Sequence, residues 1–91
     1  MKTSEKYLIT NIDGTDVALP TGQNIVSFKN IVKLTPSGAF ICKCLSTSHT
    51  LPELREMVYR EYECTESDKG TVNSLINEFV ENAVSIGLIL P

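Results

Sequence analysis

The stretch NIVKLTPSGAFICKCL, residues 30–45, changes its period in the middle. Asn30 to Leu34 (NIVKL) is short, apolar and β-branched, and reads as a strand. Thr35 can cap a helix with its hydroxyl, and Pro36 at the first helical position gives up a donor that would have no partner there anyway. Beyond it Phe40, Ile41, Cys44 and Leu45 form a stripe at helical spacing, which Ser46 to Ser48 end. A strand that passes directly into a capped helix predicts a sheet and a helix sharing one core.

Upstream, Tyr7 to Ile12 alternates loosely and is rich in strand formers. Asp13-Gly14 is a two-residue hairpin signal, because such turns need positive φ. Asp16 to Leu19 is the returning strand, stopped by Pro20 and followed by a loop through Thr21, Gly22, Gln23 and Asn24. Downstream, Thr50-x-x-Glu53 is a capping box, and Leu51, Leu54, Val58 and Tyr62 fall at helical spacing. A third helix is predicted to begin after Thr65 and to run to Ile86, with Glu66 and Asp68 at its positive end, Gly87 as a left-handed stop and Leu88 packed after it. Leu88 to Leu90 either adds a short strand or packs on the core. The order predicts one α+β domain over residues 1–91, a three-stranded antiparallel sheet followed by three helices on one face.

Composition narrows the function. Hydrophobic residues at 42% and charged residues at 21% describe an ordinary globular chain of 91 residues. A chain of this size buries roughly 60–65% of its unfolded surface. A net charge of −3 argues against nucleic acid as the main partner. No apolar run approaches the ~20 residues that cross a bilayer, and Met1 to Lys6 has no apolar stretch behind it, so a cytoplasmic protein without membrane partners is expected.

Little in the chain suggests catalysis. Cys42, Cys44 and Cys64 are odd in number and lack metal-ligand spacing, which makes them packing thiols. His49 precedes the cap of the second helix and reads as an exposed loop residue; a Cys64–His49 dyad would lack a third member. The five glycines are scattered, with no phosphate-binding spacing. No enzyme, cofactor or metal is expected.

Two features could bind a partner. With Val72 at 0° and 100° per residue, Leu75, Phe79 and Ile86 lie at 300–340°, Ala83 at 20°, and Ile76, Val80 and Val84 at 40–120°. The apolar face spans about half the circumference, opposite Ser74, Glu78, Asn82 and Ser85. Either the second helix or the tail covers the extra flank at Ile76, Val80 and Val84, or that flank binds something. The NIVKL strand would lie at a sheet edge, where Lys33 either protects the free backbone or leaves it open to an added peptide strand.

Residues 18–45, ALPTGQNIVSFKNIVKLTPSGAFICKCL, are similar to the PqqD-like pattern: a strand ending in Pro-Thr-Gly, a short hydrophobic strand, then Gly-Ala-Phe-Ile and an apolar helix. Thr50-Leu-Pro-Glu-Leu, Glu61-Tyr62-Glu63 and Ile86-Gly87-Leu88-Ile89 resemble later motifs of the family, so the likeness runs from about Tyr7 to Leu90. Thr35 stands where Asn is common, Cys42 where a large aromatic is common, and Cys44 where Leu is usual. The resemblance implies a winged helix-turn-helix-like protein, a RiPP recognition element. Such proteins bind a precursor's leader peptide as an added strand and present it to a modifying enzyme, often a radical SAM maturase. By that resemblance Asn30, Ile31, Val32, Lys33 and Leu34 supply the strand edge, and Asn73, Ile76, Asn77, Val80 and Val84 the helix side. The alternative is a winged-helix DNA-binding regulator, against which stands a third helix whose one basic residue, Lys69, faces Glu66, Asp68, Glu78 and Glu81.

Overall fold

The computed structural model describes residues 1–21 and 31–91. Its larger sheet has three antiparallel strands, β2 (Tyr7–Ile12), β3 (Thr15–Pro20) and β4 (Val32–Leu34), in the order β2-β3-β4. Asp13 (φ 50°) and Gly14 (φ 86°) make the two-residue turn between β2 and β3, both in the left-handed region such a hairpin requires. The Asn11 side chain holds the turn, accepting from the Gly14 N–H (3.0 Å) and donating to Asp16 (3.2 Å). Ile12 faces Thr15, and the register runs on to Tyr7 opposite Pro20. Pro20 thus ends the strand from within it. On the other side of β3, Asp16 faces Leu34 and Ala18 faces Val32. Within NIVKL, only Val32, Lys33 and Leu34 form ladder pairs; Ile31 precedes the strand, and Asn30 lies outside the described residues, as does the loop expected at Gly22 to Asn24.

Three helices follow. In α1 (Pro36–Cys44) the Thr35 hydroxyl accepts from the Gly38 N–H at 3.0 Å, with Pro36 leading the first turn. In α2 (Leu51–Glu61) both halves of the capping box are present: Thr50 accepts from the Glu53 N–H (3.3 Å), and Glu53 accepts from the Thr50 N–H (2.8 Å). The third helix, α3 (Lys69–Ser85), starts beyond Glu66 and Asp68, which were expected in its first turn. The Asp68 carboxylate instead accepts from the Thr65 N–H (3.0 Å) and hydroxyl (2.9 Å), which closes a separate turn before the helix. Its end is the expected left-handed stop, with Gly87 at φ 79°. The Gly87 N–H returns to Val84 (3.1 Å) and the Leu88 N–H to Ala83 (2.9 Å), the paired bonds of a Schellman cap.

The tail both packs and pairs. Leu88 and Ile89 are buried, and β5 (Ile89–Leu90) pairs antiparallel with β1 (Lys2–Thr3) in a second, two-stranded sheet. Nothing in the pattern of Lys2-Thr3 signals a strand. Tertiary bonds place it: the Thr3 N–H donates to Leu45 O (2.7 Å), its hydroxyl to Cys42 O (2.7 Å), and the Ser4 N–H to Leu88 O (2.8 Å). The core lies between the larger sheet and the helices, with Leu45, Leu54, Leu88, Ile89 and Cys42 fully buried among Ala18, Leu34, Ile76 and Val80. Among the described residues, no helix is long and apolar enough to cross a membrane.

Candidate functional site

The sequence leaves open which part of the wide α3 face is spare, and packing decides it. Ile76 (2% exposed), Val80 (9%) and Ala83 (3%) point into the core, and Val84 is half-buried against it. Asn73 and Asn77 turn to α2, accepting hydrogen bonds from the Tyr59 hydroxyl and from Arg55 (3.1 Å). The flank expected to receive a peptide is therefore internal, because α2 docks on its Asn73–Asn77 side and rotates Ile76 and Val80 inward. The uncovered apolar residues lie at the other border of the same face: Leu75 is 60% exposed, Ile86 50%, and Phe79 half-buried.

Leu75 and Phe79 form one wall of an open groove of about 590 Å³. The facing wall is the start of α1, where exposed Thr35 and Ser37 form the lip and buried Gly38 and Ile41 the floor. Val58, Tyr62 and Cys64 close the end beneath α2. Tyr62, at helical spacing from Leu54 and Val58, caps the helix and is 48% exposed. Its ring meets Phe40 edge-on at 5.9 Å, which anchors this end of the groove to α1.

Gly38 sets how closely the walls approach. A Cβ there would lie 2.8 Å from a Phe79 ring carbon, closer than carbon atoms can sit, so only glycine lets the ring lie over the first turn of α1. The opening is mostly hydrocarbon, with Glu78 the only charged residue lining it among the described residues. The Thr35 hydroxyl at the lip is already engaged by Gly38 and by Ser37 (3.2 Å).

The groove meets the sheet at Thr35, directly after β4. Because the sheet order is β2-β3-β4, β4 pairs on one side only among the described residues. Lys33 is exposed, Val32 and Ile31 are half-exposed, and Leu34 is buried as the strand's anchor. The arrangement offers main-chain hydrogen-bonding groups beside an apolar trough, and it could hold an extended chain with a large apolar side chain.

The Cys42 thiol is buried, Cys44 and the histidine are half-buried, and Cys64 lines the groove. All three cysteines are free. Cys42 is 1% exposed, and burial pushes its thiol up to about 11. The Cys44 thiol is also raised, first by burial and then by the nearby Glu61 carboxylate. The His49 ring meets the Thr47 hydroxyl (3.1 Å) and the Glu53 carboxylate (3.8 Å), and its backbone carbonyl accepts from the Met1 amino group (2.8 Å). Among the described residues no three His, Cys, Asp or Glu side chains gather to hold a metal. No family of known proteins, no curated protein and no solved structure matches this chain.

Proposed function

We propose that this domain is a non-catalytic, winged-helix-like peptide-recognition module of the PqqD-like kind. It binds the leader of a ribosomally made precursor and presents it to a modifying enzyme, a radical SAM maturase in the simplest case. The observation that carries the reading is the β4 strand, paired on one side only among the described residues, running into the apolar groove between α1 and α3. Strand addition needs those two parts together: a backbone edge for registry and pockets for alternate side chains. The leader side chains then seat against Leu75 and Phe79, with Ile31, Val32 and Lys33 at the edge. This assigns the helix side to different residues from Ile76, Val80 and Val84, which support the groove from behind.

Charge weighs against the nucleic-acid alternative. Lys69, the only basic residue of α3, is held by Glu66 (2.9 Å) and lies 5.0 Å from the centre of the Tyr59 ring. A recognition helix needs free cations for phosphate and for guanine edges.

The test is a titration of isotope-labelled protein with the leader of a precursor peptide encoded beside this gene. Amides of Ile31 to Leu34 and of Leu75 to Phe79 are expected to shift together. Leu75→Glu is expected to weaken binding at least tenfold, about 1.4 kcal/mol, with the fold unchanged. Unaltered affinity in Leu75→Glu, or a sequence-selective complex with duplex DNA at sub-micromolar protein, would refute the proposal.

A further inference from the structure

Among the described residues β2 is the sheet's other edge, and within its own sequence it lacks the charges, prolines and bulges by which edge strands avoid pairing. Its sequence YLITNI has no charge and no proline, and it keeps a regular register with β3 over all six residues. The Lys6 carbonyl accepts from the Thr21 N–H (2.7 Å), so the even-numbered residues of β2 aim their backbone groups at β3. Ile9 and Asn11 therefore aim theirs outward. On the face away from α1, Leu8 is 55% exposed and Ile12 46%, with Thr10 between them.

We propose that the outer edge of β2 is a self-association surface, on which two copies pair β2 to β2, antiparallel, about a twofold axis through Thr10. Opposed residues in an antiparallel ladder share a face, so a twofold pairing must match even positions with even. Centring it on Thr10 sets Leu8 of each copy opposite Ile12 of the other, at the closely spaced, non-hydrogen-bonded positions. Ile9 and Asn11 then exchange the main-chain bonds. The two exposed apolar residues of the strand cover each other, which centring on Ile9 would not achieve, since Leu8 would then face Thr10. Charge agrees with this register. Lys6 comes opposite Gly14 of the second copy and beside its Asp13, and neither Lys6 nor Asp13 forms an ion pair among the described residues. The contact is small, so the dimer is a weak, concentration-dependent one. It uses the edge opposite β4 and leaves both proposed leader sites open.

Sedimentation of the intact chain should show the mass rising from 10.0 kDa toward twice that value as concentration enters the high-micromolar range. Ile12→Lys, at an exposed site beside the turn, should hold the protein at monomer mass with its melting temperature kept. Cross-linking tests the register. In a Cys44→Ser/Cys64→Ser background, Thr10→Cys places two thiols opposite each other across the axis. It should form a disulfide-linked dimer at least tenfold faster than Leu8→Cys, whose partner position is Ile12. A mass that stays at the monomer value, a dimer that survives Ile12→Lys, or equal cross-linking of Thr10→Cys and Leu8→Cys would each overturn the proposal.

Discussion

Gly38→Ala adds one methyl group where α1 meets α3, and the structure predicts both its sign and how that sign reverses. The new Cβ would stand 2.8 Å from one Phe79 ring carbon, 3.3 Å from another and 3.2 Å from the Thr35 hydroxyl. The Thr35 contact needs a shift of a few tenths of an ångström, but the ring must move away or α1 must tilt. Overpacking of this kind costs about 1–3 kcal/mol. Alanine's advantage over glycine in a helix returns up to about 1 kcal/mol. The net expectation is a loss of about 1 kcal/mol, or a melting temperature lower by about 4–8 °C in a domain of this size. In a Phe79→Ala background the ring clash is gone, leaving the propensity against only the milder Thr35 contact, so the same substitution should raise the melting temperature. Thermal denaturation of the four proteins of this cycle measures the coupling directly. If Gly38→Ala has the same effect in both backgrounds, within about 0.3 kcal/mol, the Gly38–Phe79 contact does not set the width of the groove.

Val80→Glu and Leu75→Glu sit five residues apart on α3 and should differ sharply. The first forces a carboxylate into the core at a 9%-exposed site and should unfold or severely destabilise the domain, whereas the second should leave the melting temperature nearly unchanged. Glu63 closes α2 at φ 50°, a conformation that costs a side chain about 1–2 kcal/mol, so Glu63→Gly should raise the midpoint of chemical denaturation. The Cys42 thiol, raised by burial to about 11, binds its proton more tightly folded than unfolded. Its contribution is therefore full below about pH 9, the unfolded value, and is lost as pH rises through about 11. Cys42→Ala should lower stability at neutral pH yet flatten the alkaline fall of a melting-temperature profile, and an unchanged slope would show that the thiol is not the titrating group.

Much of the fold was legible because its signals are local. The Asp13-Gly14 turn, the Thr35 and Thr50 caps and the Gly87 stop each act within a few residues through backbone angles and unpaired donors, so the sequence alone located both strands of the hairpin and all three helices. The α3 boundary slipped because Asp68, which resembles a first-turn residue, closes a turn on Thr65 instead. β1 was invisible for a related reason. Two residues have no period, and its bonds run to Leu45, Cys42 and Leu88, far away in the chain.

The candidate site divides in the same way. The sequence by itself determined that the apolar face of α3 spans about half its circumference, since that follows from residue spacing around a helix. Which border of that surface stays uncovered depends on where the other elements dock, and no local pattern encodes it. Asn73 and Asn77, polar and seemingly suited to a ligand, are claimed by Tyr59 and Arg55 of α2. That docking turns Ile76 and Val80 into the core and leaves Leu75 and Phe79 facing the glycine of α1. The rotation of one helix about its axis is a balance of contacts distant in sequence, and only the tertiary structure decided it.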